Sequence, residues 1–187
     1  MKKNNLMWAF RTLILSICLS IIFSMFSQSL FPQLSVFLSL FVIVFFIVVS
    51  VVFDMISVAV TSINFEKLEK YSGKIGYKTA VKLCENTEKV SSFCGDVVGD
   101  ICGILSGAGG VSLVVNMNIQ DANVYFIVTC LISSLIAGLT IFGKAVMKGY
   151  SVEHCDVVVM KTGLILETSP FSIFKKKKKK KKKISKK

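Results

Sequence analysis

The amino-acid sequence predicts an all-α integral membrane protein with four transmembrane helices, a cytoplasmic juxtamembrane helical hairpin and a C-terminal amphipathic belt helix. Three observations predict it. The 187 residues are 53% hydrophobic with a mean hydropathy of +0.67, above the balance of an ordinary soluble domain. The apolar residues gather in runs of the ~20 residues that a helix needs to cross a hydrocarbon core ~30 Å thick. Charge is segregated: of 23 Lys and Arg, nine form the run Lys175–Lys183 and six more lie at Lys67, Lys70, Lys74, Lys78, Lys82 and Lys89.

The first span is Leu13–Leu30, within an N-terminal segment 1–30 that opens on Lys2, Lys3 and Arg11. A signal peptide has a similar charged start, but this run is long for its apolar core and no small-residue cleavage pattern follows. Phe31-Pro32-Gln33 makes a short break. The second run, Leu34–Val60, holds Asp54 as its sole charge, and so short a connection predicts an antiparallel pair. Together with the later spans it forms a transmembrane unit over residues 34–150.

Residues 64–90 alternate Lys with Glu66, Glu69, Glu85 and Glu88, and carry Leu68, Tyr71, Ile75, Val81 and Leu83 in a broken helical pattern interrupted by Gly73 and Gly76. Two short amphipathic helices on the membrane surface are expected. A Gly-rich third span runs from Ser91 to about Met117, the polar turn Asn118–Asn123 follows, and Val124–Phe142 is the fourth span. Residues 151–174 are the belt helix and 175–187 a disordered lysine tail.

Sidedness follows from the basic residues. The N-terminus, the 64–90 loop and the tail carry them, while the 31–33 and 118–123 turns carry none. A multi-pass protein of the plasma membrane with both termini cytoplasmic is expected. The tail has the density of positive charge that draws anionic lipid headgroups. It lacks the interleaved aromatics of a nucleic-acid surface, so membrane lipid and not nucleic acid is the expected partner.

Several chemistries are excluded early. The single His154 leaves no His-rich metal site. The six cysteines form no CxxC pair, and they read as small core residues of a reducing compartment. No Ser/His/Asp set, phosphate-cradling loop or HExxH motif occurs, so neither an enzyme nor a bound cofactor is expected.

The polar residues of the spans are the candidates for function. Gly95, Gly99, Gly103 and Gly107 recur every four residues and predict a flat stripe for close helix packing, and Gly109-Gly110 suggests a bend. Asp96 and Asp100 share a helix face beside the stripe, with Ser92 one turn earlier. Asp54, Ser57 and Thr61 line the second span. A carboxylate at the bilayer centre costs about 2.5–3.5 kcal/mol on insertion scales, and Asp and Ser oxygens suit a hard cation such as Mg²⁺. Two readings of Asp96 and Asp100 stay open: cation ligands, or hydrated residues near the cytoplasmic interface. Two also stay open for Lys144: snorkelling to the interface, or a salt bridge to Asp96 or Asp100.

Three stretches carry a resemblance: FDMISVAVTSINFEKLE (53–69), KLCENTEKVSSFCGDVVGDICGILSGAGG (82–110) and TIFGKAVMKGYSVEHCDVVVMKTGLIL (140–166). Over roughly residues 50–170 the chain resembles the transmembrane domain of the cyclin-M/CorB/CorC magnesium-transporter family. Leu83-Cys84-Glu85-Asn86-Thr87-Glu88 is similar to that family's Leu-Leu-Glu-Asn-Pro-Glu stretch. The chain departs from the family's Gly-Glu-x-x-Pro-Lys, which here reads Gly143-Lys144-Ala145-Val146-Met147-Lys148. Ser57 falls about where the family's first span has a glutamate, and an additional span precedes the usual three. The resemblance implies transport of a divalent cation (Mg²⁺ or Co²⁺), a homodimer, and Ser57, Asp96, Asp100 and Gly143 as the nearest equivalents of the cation-binding positions, which Asp54 joins. The alternative is a non-transporting membrane scaffold or regulator that keeps the fold and binds lipid or a partner through its basic cytoplasmic face.

Overall fold

A computed structural model describes residues 3–168, with the side chains of parts of the first helix left aside. The lysine tail and residues 169–174 of the expected belt helix lie outside the described residues. Within them the chain is helical and contains no strand. Helix α1 is Lys3–Leu30, and a single 3-10 turn, Phe31–Gln33, leads to Ser35, whose extended backbone starts α2, Val36–Ser62. Two short helices follow, α3 at Phe65–Glu69 and α4 at Tyr77–Glu85. Between them Gly73 and Gly76 take positive φ values of 85° and 93°, a backbone that glycine adopts without Cβ strain. Asn86 breaks the chain again before α5, Thr87–Val115, which contains a π-helical segment at Phe93–Gly99. After a turn at Asn118, Asp121 caps α6, Ala122–Glu153, by accepting hydrogen bonds from the Asn123 and Val124 amides. Such a cap satisfies two of the amides left open at a helix start. Helix α7 is Cys155–Thr168.

Three of these helices, α2, α5 and α6, are long and apolar enough to cross a membrane. Within α1 a shorter apolar stretch, Leu13–Met25, stands apart from those three. Helix α2 is the hub, packing against α5, α6, α7 and α4. At one end of the bundle the two turns are tied together: the Asn116 side chain donates to the carbonyls of Phe31 and Leu34, at 3.1 and 3.3 Å. Phe31, Ile43, Leu113 and Ile136 form an apolar cluster there, and the outward faces of α1 and α6 are covered with large apolar side chains such as Ile22, Met25, Phe126 and Leu131.

No break occurs at Gly109-Gly110; α5 stays helical to Val115. Those glycines instead admit neighbours, Phe31 and Ile43 at Gly109 and Ile136 at Gly110. The expected glycine stripe is real at Gly95, Gly99 and Gly103, which face α2, but Gly107 faces open space.

At the opposite end α3, α4 and α7 form a layer over the end of α2. Its core joins Ala59, Val60, Leu68, Ala80, Cys84, Cys155, Val158 and Val159. Ser151–Glu153, expected in the belt helix, instead complete α6. Ser151 is fully buried and donates to the Met55 carbonyl at 2.6 Å, fastening α6 to α2.

Candidate polar site within the helical bundle

Positions 50, 54, 57 and 61 of α2 are spaced to share one helix face. Ser50, Asp54, Ser57 and Thr61 occupy them, and this face meets α5 along its π-helical segment. Near the layered end, Ser57 Oγ lies 3.0 Å from the Ser91 carbonyl and 2.8 Å from Ser91 Oγ. A hydroxyl has one proton, so when Ser57 donates to the carbonyl, Ser91 donates to Ser57. These groups converge on Gly95, where the missing side chain lets α2 and α5 approach closely. A Cβ on Gly95 would lie 2.9 Å from Ser57 Oγ and 3.9 Å from Asp54 Oδ1. Among the described residues Asp54 has no hydrogen-bond or ion-pair partner.

One to two turns further into the bundle the arrangement closes. The buried Ser50 hydroxyl donates to the Gly99 carbonyl at 2.5 Å. Lys144 Nζ, carried on α6, lies 3.2 Å from Asp100 Oδ1, which decides between the two roles the sequence left open for this lysine. Lys144 is placed by its neighbour: a Cβ on Gly143 would come within 2.9 Å of Val51 Cγ2, so the α6 backbone packs against the Val51 side chain of α2 there. The Lys144 side chain is 24% exposed and that of Asp100 63%.

Of the residues expected to act together, the structure brings Asp54 and Ser57 to one place. Asp100 sits with Lys144, Asp96 is exposed on α5, and Gly143 is a packing position beside Lys144. Ser50 and Ser91 were not anticipated. Ser50 was legible as the residue one turn before Asp54 on the same face. Ser91 takes the place expected for Ser92, at the edge of the π-helical segment. Such wide turns within α-helices are frequent at functional sites.

Among the described residues no three His, Cys, Asp or Glu side chains come together as metal ligands. A cation held here would rely on one carboxylate with hydroxyl and carbonyl oxygens. That donor set suits a hard ion that keeps several waters, as Mg²⁺ does.

A second polar cluster lies outside the bundle. Asp156, 7% exposed, accepts from Lys70 Nζ at 2.5 Å and from the Tyr71 hydroxyl at 3.0 Å. Burial pushes Asp156 up, but hydrogen bonds from Lys70 and Tyr71 and the lysine charge outweigh it, leaving the carboxyl below its ordinary range. The hydrogen bond to Asp156, with the carboxylate charge, raises Lys70 above its usual value and outweighs burial, which lowers it. Tyr71 is raised by burial and then by the same carboxylate. With the Gly76 amide and Thr79 hydroxyl donating to Glu167, these bonds fasten the 65–85 segment to α7.

Comparison of the chain with protein-family models, with curated proteins and with solved structures returned no match. The likeness to the cyclin-M/CorB/CorC domain therefore rests on its sequence motifs.

Proposed function

We propose that the chain is a membrane domain of the CorB/CorC type that binds a hard divalent cation, Mg²⁺ first among them, in the niche formed by Asp54, Ser57 and Ser91 over Gly95. One observation carries this: a carboxylate without a partner among the described residues, on a long apolar helix one turn from Ser57, whose hydroxyl meets Ser91 just before a π-helical segment. An isolated carboxylate at that depth is costly, and a cation would offset the cost. In this reading α1 supplies a fourth span, both termini are cytoplasmic in the plasma membrane, and the layer of α3, α4 and α7 lies at the inner surface. A homodimer fits the exposed carboxylates of Asp96 and Asp100 with Ile104 and Val111 on the same helix.

The test is Mg²⁺ binding by isothermal titration calorimetry on purified protein. Asp54→Asn is expected to weaken affinity at least tenfold, and unchanged affinity overturns the assignment. A second reading is favoured by the Lys144–Asp100 pair, which neutralises one of the expected ligands. In it the fold is a non-transporting scaffold that holds anionic lipid through its basic face. Wild-type protein that binds vesicles containing phosphatidylserine but takes up no Mg²⁺ supports that scaffold.

A further inference from the structure

The turn between α3 and α4 holds an isoleucine outward. Ile75 is 73% exposed, and the turn around it is fixed from within. The Lys74 amide donates to the Tyr71 carbonyl at 3.0 Å, and the Tyr77 amide donates to the Lys74 carbonyl at 3.2 Å. The Gly76 amide ties the turn to α7 through Glu167 Oε2, at 3.1 Å.

Ile75 does not stand alone. A Cβ on Gly76 would lie 2.7 Å from the Leu164 amide nitrogen, so the tip of the turn borders the last turns of α7. Leu164, Ile165 and Leu166 are exposed there, Ile165 by 67%. Apolar residues scattered singly on a surface need no explanation, whereas a contiguous group marks a protein or membrane contact.

The surrounding charge chooses between the two. From Lys70 to Cys84 the chain carries four lysines and no acid. Asp156 holds Lys70, while Lys74, Lys78 and Lys82 are exposed. Glu167 directs its carboxylate to the Gly76 amide and the Thr79 hydroxyl. The ammonium groups of Lys70 and Lys74 lie 5.2 and 5.1 Å from the centre of the Tyr71 ring. Tyrosine and lysine beside an apolar tip are the side chains that settle at a bilayer interface, with apolar bodies inward and polar ends in the headgroups. The run Lys175–Lys183 begins seven residues after Thr168, a tether of at most about 25 Å from the end of α7.

We infer that this edge docks on the anionic leaflet of the bilayer, with Ile75, Leu164 and Ile165 in the acyl boundary and Lys74 and Lys78 on lipid phosphates. The inference rests on the reading that places the layer of α3, α4 and α7 at the inner membrane surface. Binding of this kind draws on buried apolar area and on attraction to anionic lipid together. Because Gly76 is pressed against α7, the turn and the helix meet the leaflet as one body.

The experiment places the full chain in phosphatidylcholine vesicles, with or without phosphatidylserine, whose acyl chains carry bromine either near the headgroup or near the chain middle. Trp8, the sole tryptophan, is replaced by Phe, so that Ile75→Trp reports alone. Leu135→Trp, at an exposed position of α6 within its span, is the control and is expected to be quenched most by the deep bromine. Ile75→Trp fluorescence is expected to fall at least twofold with the shallow bromine when phosphatidylserine is present. At least half of that loss is expected to be recovered when the phosphatidylserine is left out, or when Lys74→Gln and Lys78→Gln are added. A quenched control with Ile75→Trp unquenched overturns the docking edge, leaves the spans standing and points to a protein partner for the patch. Quenching of Ile75→Trp that ignores both phosphatidylserine and the lysines overturns the anionic leaflet as the partner. Absence of quenching at both positions overturns the membrane reading, and the inference with it.

Discussion

Gly76 and Gly163 meet backbone against backbone: a Cβ on Gly163 would lie 2.7 Å from the Gly76 carbonyl oxygen, and one on Gly76 would lie 2.7 Å from the Leu164 amide nitrogen. The turn before α4 thus presses directly on α7. Two segments nearly ninety residues apart in sequence are joined where neither has a side chain to separate them.

Gly163→Ala forces its methyl into main-chain atoms that cannot rotate away. Overpacking of this kind costs about 1–3 kcal/mol, and the thermal midpoint in detergent is expected to fall by several degrees. Gly149→Ala is the control. That position is helical with open space around its Cβ site, so alanine is expected to be neutral or to stabilise by about 0.5–1 kcal/mol. Equal midpoints for the two variants would contradict the close contact.

The Asp156 cluster gives the joint a pH dependence with two edges. The depressed Asp156 contributes stability above its unfolded pKa of about 3.9, and the contribution is lost as pH falls through the lower folded value. The raised Lys70 and Tyr71 contribute below their unfolded values of about 10.4 and 10, and lose that contribution as pH rises through the folded ones. The difference in thermal midpoint between wild type and Asp156→Asn is therefore expected to be flat from about pH 5 to 9 and to shrink on both sides. A difference that grows towards pH 3 would refute the pairing.

Ser57→Ala removes both hydrogen bonds to Ser91 and is expected to destabilise by about 1 kcal/mol, within the range for a single buried hydroxyl. Gly95→Ala acts on the same groups from the other side, because its Cβ would press on Ser57 Oγ at 2.9 Å. The double variant is expected to cost less than the sum of the two, since alanine at 57 removes the oxygen that the new methyl meets. Strict additivity, measured by chemical denaturation in detergent, would place the two residues apart.

The long apolar helices were readable in the sequence because α2 and α6 carry uninterrupted runs, and the break at Phe31–Gln33 lies where a proline stands. Other features turned on helix phase. A four-residue repeat gains about 40° per step on an α-helix. Gly107, three steps after Gly95, has therefore drifted off the face that meets α2, and Gly109 and Gly110 take up the close packing. The same sensitivity put Ser91 where Ser92 was expected. Pairings across the layer, Lys70 and Tyr71 with Asp156 or Gly76 with Gly163, leave no local periodic signal. They arise from how α4 and α7 cross, which spacing along the chain does not encode.

The π-helical segment Phe93–Gly99 closes wider hydrogen-bonded rings than the α-turns on either side. The two parts of α5 consequently keep separate rotational settings: the Thr87–Ser92 end is phased to the outer layer, the Asp100–Val115 part to Phe31 and Ile136. Shortening the segment by one residue would turn one part against the other by about 100°. The length of those seven residues thus works as a spacer between two otherwise incompatible packings, a constraint on insertions and deletions stricter than any on the residue types themselves.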